Sequence, residues 1–379
     1  MTSASIEPVA QLAWHYENPM AQALERHNSG VPVVGVTSNT VPWELLSAAG
    51  LFPVVLRPPV TATPFADEFM EENVFHPRIR NIFEQAVSGK LQFLEAIIIP
   101  RTSEQEYKLF LYLREVARTR ADVRLPPVYL YDLLHYRSAG SHAYGLQRTH
   151  ALKQQIEKIA GRPIAPDELS RAIRESNAAR AVVRSLLRLR EGTPRLSGSD
   201  ALTLVGAFWF MDRAEYAKIA QEAAVALERR PPLRGARLIV KGLPLDHNGL
   251  HRILESHGAV VVAEDDWWGT RSAGDDIPDL QDGITAVFEK YYFDSPSARV
   301  FPPAVADEWF ETAARNGTDG VVFYLPEDDY VAGWDYPRQK LFLDKLGIPN
   351  ILVRSDAVQL DPKESERIEH WVHGITVKR

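Results

Sequence analysis

The chain twice runs through strand, turn, helix, glycine and strand in the same order, and that repetition leaves few folds open to it. Pro32–Leu56 supplies one copy, with Gly50 between its helix and its second strand, and Arg237–Ala263 supplies another, with Gly258 in that place. Later segments match in the same way. Ala96–Pro100, the helix after Ser103 and the strand Pro127–Tyr131 correspond to Gly320–Tyr324, Tyr336–Leu346 with Gly347, and Pro349–Val353. Short apolar runs alternating with helical patterns argue for α/β units with parallel strands. The expected architecture is α/β, with two flavodoxin-like (Rossmann-like) domains related by a pseudo-duplication.

Residues 1–140 are assigned to an N-terminal α/β domain, 141–235 to a helical region and 236–379 to a C-terminal α/β domain. The spacing predicts strands over Pro32–Thr37, Phe52–Leu56, Ala96–Pro100 and Pro127–Tyr131, with helices over Trp43–Ala49, Arg78–Val87 and Glu104–Arg118. Ser141–Gly161 and Pro166–Glu191 carry long helical periodicity, broken at Pro163 and Pro166. In the last third, Asp246–His257 reads as a helix capped by Asp246.

The 379 residues include no cysteine. Disulfides, cysteine zinc sites, cysteine nucleophiles and all-thiolate cluster ligation are therefore excluded. A net charge of −7 gives no general attraction to nucleic acid or anionic membranes. No apolar stretch approaches the roughly 18 residues of a membrane helix. Met1–Val9 lacks a signal-peptide pattern, so a cytoplasmic location is expected. Arg180, Arg184, Arg188 and Arg190 fall at helical spacing and read as a solvated helix face.

In parallel α/β sheets, ligand sites form beyond the C-terminal ends of the strands. Four such ends carry polar groups: Thr37-Ser38-Asn39, Arg101-Thr102-Ser103, Lys241-Gly242-Leu243-Pro244 and Leu325-Pro326-Glu327-Asp328-Asp329. Glu44, Asp265, Asp266, Asp328 and Asp329 are the candidate catalytic carboxylates if a cleft closes over them; solvated loop carboxylates are their bland alternative. Candidate substrate-binding residues are Ser38, Asn39, Ser103, Trp267, Trp268 and Arg271. Trp267 and Trp268 read either as filling a vacated site or as ordinary core. No metal site is assigned, because isolated hydroxyls more commonly cap or brace strand ends than hold ions. The chain has no phosphate-binding Gly-x-x-x-x-Gly-Lys-Ser/Thr loop and no Gly-x-Gly-x-x-Gly.

One motif runs Gly35-Val36-Thr37-Ser38-Asn39-Thr40-Val41-Pro42-Trp43-Glu44-Leu45-Leu46. With Ile97-Ile98-Ile99-Pro100-Arg101-Thr102-Ser103-Glu104, Asn177-Ala178-Ala179-Arg180, Gly242-Leu243-Pro244-Leu245-Asp246, Asp265-Asp266-Trp267-Trp268-Gly269-Thr270-Arg271, Pro296-Ser297 and Asp335-Tyr336-Pro337, it forms an ordered set over roughly residues 31–356. The set resembles the 2-hydroxyacyl-CoA dehydratase and benzoyl-CoA reductase family, in the subunits that hold a [4Fe-4S] cluster. The resemblance implies that Ser38, Ser103 and Asp329 stand at former cluster-ligand positions, where the family uses cysteine. Serine oxygens are hard, normally protonated donors, whereas these clusters are held by soft thiolates.

The implied function is that of a cluster-free subunit of an acyl-CoA dehydratase (lyase) or reductase complex. It would shape an acyl-CoA pocket and pair with a related cysteine-bearing subunit. No cofactor is expected in this chain, and a [4Fe-4S] cluster only in a partner. A homodimer is the other expected assembly; no nucleic-acid or membrane partner is. The alternatives are a standalone non-redox enzyme acting on an acyl-CoA or other small molecule, or a non-catalytic binding or assembly protein.

Overall fold

A computed structural model describes residues 7–72, 74–242, 245–278, 280–294, 301–326, 329, 332–355 and 360–376. Among the described residues, eight strands form two separate sheets. The first contains β1 (Val33–Val36), β2 (Phe52–Val55), β3 (Ala96–Pro100) and β4 (Val128–Tyr131), in the order β2-β1-β3-β4. The second contains β5 (Ala236–Gly242), β6 (Ala259–Glu264), β7 (Gly320–Leu325) and β8 (Asn350–Arg354), in the order β6-β5-β7-β8. Every pairing is parallel, with Val33 opposite Phe52 in the first sheet and Ala236 opposite Ala259 in the second. The two orders are one topology used twice: the flavodoxin-like order in which the chain reverses direction beside the first strand.

Both copies end their first helix with a glycine at positive φ, +82° at Gly50 and +88° at Gly258. A residue with a Cβ is strained there, so these glycines let the chain turn from helix into strand. The prolines at predicted strand starts lie just outside the ladders. Pro32 and Pro127 have no N–H to donate, yet their carbonyls accept from Phe52 and Ile97, at 2.9 Å and 2.8 Å.

Side chains of the second sheet alternate between its faces. Leu238, Val240, Val322 and Tyr324 join one apolar cluster, while Ile239, Val321 and Phe323 join another. Covering helices on both faces explain why these strands read as continuous apolar runs. A larger cluster unites the first sheet with helices Pro166–Arg188, Gly198–Gly206 and Arg213–Leu227, and also takes in Trp267, Trp268, Tyr291 and Tyr292. Helix Pro166–Arg188 packs on Trp43–Ala48 and on Arg213–Leu227. No helix among the described residues is long and apolar enough to cross a membrane.

The structure departs from the sequence expectation in two places. The four-arginine set is not a solvated face: Arg180 and Arg190 are buried in ion pairs, and Arg184 pairs with Asp276. Only Arg188 is exposed. The helix expected from Asp246 begins at Gly249, with Asn248 as its N-cap. Asp246 is held elsewhere: its carbonyl accepts from Tyr16 and Arg57, and its carboxylate faces Arg78 at 3.6 Å.

Candidate functional site

The C-terminal ends of β1 and β3 lie side by side, as their pairing requires, and a hydroxyl network joins them. Ser38 Oγ is 2.8 Å from Thr102 Oγ1, which is 2.7 Å from Thr40 Oγ1. Below them, Thr37 donates to Glu106 at 2.8 Å and Ser103 donates to its other oxygen at 3.4 Å. Ser103 is also the N-cap of helix Glu104–Thr119, accepting from the Glu106 N–H at 3.2 Å. Burial raises the Glu106 carboxyl, opposed by the nearby Arg78 and by the hydroxyl donors, Ser38 among them. Ser38 and Ser103 are therefore brought together about one buried carboxylate. Asp329 sits at a helix start in the second domain, where the Gly333 N–H donates to its carboxylate. Asp328 lies outside the described residues, as do Pro296 and Ser297.

The two sheets direct their strand ends toward a common junction. Arg57, just past β2, donates to the Asp246 carbonyl beyond β5 at 3.2 Å. Arg78 donates to the Thr37 and Leu56 carbonyls and faces Asp246. Its guanidinium lies 5.8 Å and 5.9 Å from the ring centres of Trp267 and Trp268. Those two rings stack at 4.4 Å, and Trp267 meets Trp209 edge-on at 5.4 Å. Both tryptophans are buried in the large apolar cluster, so they pack as core while standing against the arginine that braces the β1 end.

Three buried ion-pair systems fix the surroundings. Arg180 pairs with Glu44, and Tyr291 donates to the same carboxylate at 2.9 Å while accepting from the Trp43 N–H at 3.2 Å. Asn177 positions Arg180: its Oδ1 accepts from Arg180 and from the Ile277 N–H, both at 2.9 Å. Burial alone would raise the Glu44 carboxyl, but Arg180 outweighs it and holds the group below the ordinary carboxylate range. Asp265 lies between Lys241, at 2.6 Å, and Arg271, at 2.8 Å. There too burial is overcome, by Lys241 and then Arg271. Glu264 accepts from Arg190 at 2.5 Å and 2.8 Å and lies 2.9 Å from His251. Glu44 and Asp265 are thus charged, paired anchors, held in the ionic form that does not carry a proton.

Asp266 behaves differently. Burial, then the neighbouring Glu264 charge, push its carboxyl up to about 7, against the pull of the Gly269 and Leu245 N–H donors. Of Glu44, Asp265 and Asp266, it is the one whose protonation changes near neutral pH. The folded chain therefore keeps a proton that the unfolded chain has already lost above the ordinary aspartate value of 3.8, so stability falls as pH rises toward 7. Asp266→Asn is expected to make that fall shallower, read from urea midpoints between about pH 4 and about pH 8. An unchanged or steeper pH dependence would count against the assignment.

A cleft opens where Asn39, past the β1 end, meets the helical region and residues 271–294. Asn39, Arg180, Trp209, Arg213, Arg271, Ser272, Lys290 and Tyr291 contribute to its lining. Its cavity volume is about 20 Å³, or about 320 Å³ when the open space at its mouth is counted. Asn39 and Arg271 were legible as candidates; Arg213, Ser272, Lys290 and Tyr291 were not. Their signal in the sequence is slight, an arginine following the helix-capping Asp212 and a tyrosine within an aromatic helix. The cleft joins them only through tertiary packing.

An iron–sulfur cluster does not fit the donors present. The chain has no thiol, the Ser38 and Ser103 hydroxyls are bonded to Thr102 and Glu106, and Asp329 receives a helix N–H. Among the described residues, no group of three or more His, Asp or Glu is arranged to hold a metal ion.

Paired flavodoxin-like domains with facing strand ends, joined through a helical region, define the class of protein. The chain belongs to the family described as 2-hydroxyglutaryl-CoA dehydratase, D-component, which matches residues 39–373. It is 23% identical over 353 residues to the (R)-phenyllactyl-CoA dehydratase beta subunit of Clostridium sporogenes, covering 90% of this chain and 91% of that protein.

Proposed function

We propose that this chain is a cluster-free subunit of a 2-hydroxyacyl-CoA dehydratase-like complex, which helps to shape an acyl-CoA pocket and pairs with a related cysteine-bearing subunit. The observation that carries the reading is the state of the inherited strand ends. The β1 and β3 ends remain adjacent and ordered, but serine and threonine hydroxyls bonded to one another and to Glu106 stand there. The scaffold is kept while the soft donors are gone, which suits a subunit whose electron chemistry is supplied elsewhere.

The narrow cleft supports the second half of the proposal. Its cavity volume of about 20 Å³ has room for one water and none for an acyl-CoA. A pocket for such a ligand then needs a wall from another chain. The sequence relationship to a protein named as a beta subunit agrees with a life in a complex.

The test is coexpression with a cysteine-bearing member of the same family from the same host, followed by size-exclusion chromatography. A one-to-one complex that stays together through the column is expected. Separate elution of the two chains at micromolar concentration would refute the pairing.

A further inference from the structure

The cleft wall holds several buried polar groups whose hydrogen-bonding capacity the protein does not use. Asn39 Oδ1, Trp209 Nε1, Arg213 Nε and Ser272 Oγ are all buried with no hydrogen-bond partner, and all four residues line the same cleft. Buried polar atoms are nearly always satisfied, because each orphan forfeits its hydration for nothing. Four of them in one wall, three able to donate, describe a surface complementary to an acceptor.

Charge sharpens the description. Arg180, Arg271 and Lys290 each have a carboxylate of their own, in Glu44, Asp265 and Asp294. Arg213 has no ion-pair partner among the described residues; it donates to the Phe208 carbonyl and lies 3.9 Å above the Trp43 ring centre. Only 4% exposed, it is a desolvated positive charge beside the Trp209 and Ser272 donors; the one carboxylate on the same lining, Asp294, is held by Lys290. A buried cation without a counter-charge is costly, and a monoanion would supply one.

We propose that this cleft binds the carboxylate of a small organic acid, with Arg213 as its counter-charge and Ser272 and Trp209 as donors. A planar monoanion matches both the one uncompensated charge and the flat guanidinium edge. The carboxylate end faces the cleft wall, and the rest of the acid lies toward the mouth. Asn39 follows directly on Ser38, so the subsite adjoins the β1 end. It is independent of any partner subunit, and its test uses this chain alone.

The experiment is a titration of the purified full chain with acetate, followed by saturation-transfer NMR, with inorganic phosphate as the competing probe. Wild type is expected to show saturable acetate binding that phosphate does not displace at equal concentration. Ser272→Ala should weaken acetate by about tenfold, the scale of a hydrogen bond to a charged group, and Arg213→Gln should abolish the signal. Arg213 packs among aromatic rings and its variant risks misfolding, so a thermal melt accompanies it; if it fails to fold, Ser272→Ala decides. Absence of saturable binding, or acetate binding unaltered in a folded Ser272→Ala chain, would overturn the proposal. Phosphate binding as tight as acetate, with the same dependence on Ser272, would overturn the carboxylate assignment.

Discussion

Replacing Arg190 by leucine is expected to lower the unfolding free energy by about 3–5 kcal/mol, the cost of leaving a buried charge without its partner. Glu264 is fully buried on β6, and Arg190 gives it two hydrogen bonds while also donating to the Val261 carbonyl at 2.8 Å. The arginine lies just past helix Pro166–Arg188, so one side chain ties the helical region to the second sheet. Burial would raise the Glu264 carboxyl; Arg190 and the His251 bond override it and hold the group well below the ordinary range. The unfolded chain then takes up its proton first as pH falls, so this contribution is present above the ordinary carboxylate range and is lost below it. In the variant, His251 and Thr270 remain as partners but cannot replace a bidentate guanidinium. Urea midpoints followed by circular dichroism measure the loss. Removing both charges, as Arg190→Met with Glu264→Leu, should recover roughly half of it, because two apolar residues leave no unpaired charge. A loss under about 1 kcal/mol, typical of an exposed pair, would contradict the burial argument.

Anaerobic incubation of the chain with iron, sulfide and thiol reductant is expected to leave it colourless, with substoichiometric iron and sulfide after desalting. The expectation rests on chemistry at named atoms. Cluster iron is held by thiolates, and this sequence has none to offer. Ser38 is 3% exposed and bonded within the hydroxyl network, so ligation would break Thr102's and Glu106's contacts as well as require an alkoxide. Stacked Trp267 and Trp268 crowd the same junction through Arg78. Stoichiometric iron and sulfide, with the visible absorption of a [4Fe-4S] centre, would overturn the cluster-free reading.

The fold was legible because the central strands are buried on both faces. Val33–Val36, Ala96–Pro100 and Gly320–Leu325 are continuous apolar runs, and each copy carries its positive-φ glycine in the same place. Helices with no partner in the duplicated pattern were harder to see. Glu7–Glu17, Gly283–Phe293 and Pro303–Arg315 are set by packing against the helical region or the second sheet, which local periodicity does not report. At the site, the pairing of β1 with β3 makes the approach of Ser38 to Thr102 and Ser103 a consequence of topology. The ionic network was not legible in that way. Arg180 looked like surface because its spacing is that of any helix face, and only the fold shows that Glu44 faces it from 136 residues away. Asp266 and Asp265 are adjacent in sequence, yet one is paired by Lys241 and Arg271 while the other lies against the Glu264 charge, a difference fixed by β5 and β6.

In the proposed function, this chain works beside a cysteine-bearing relative and carries no cluster of its own. Native mass spectrometry of the untagged protein, purified anaerobically from its own host, tests it most directly, because mass reports chains and bound iron together. A heterodimer is expected, whose cluster mass stays with the partner when the two chains are separated in the gas phase. A stable homodimer with no related chain, or a cluster retained on this chain, would contradict it.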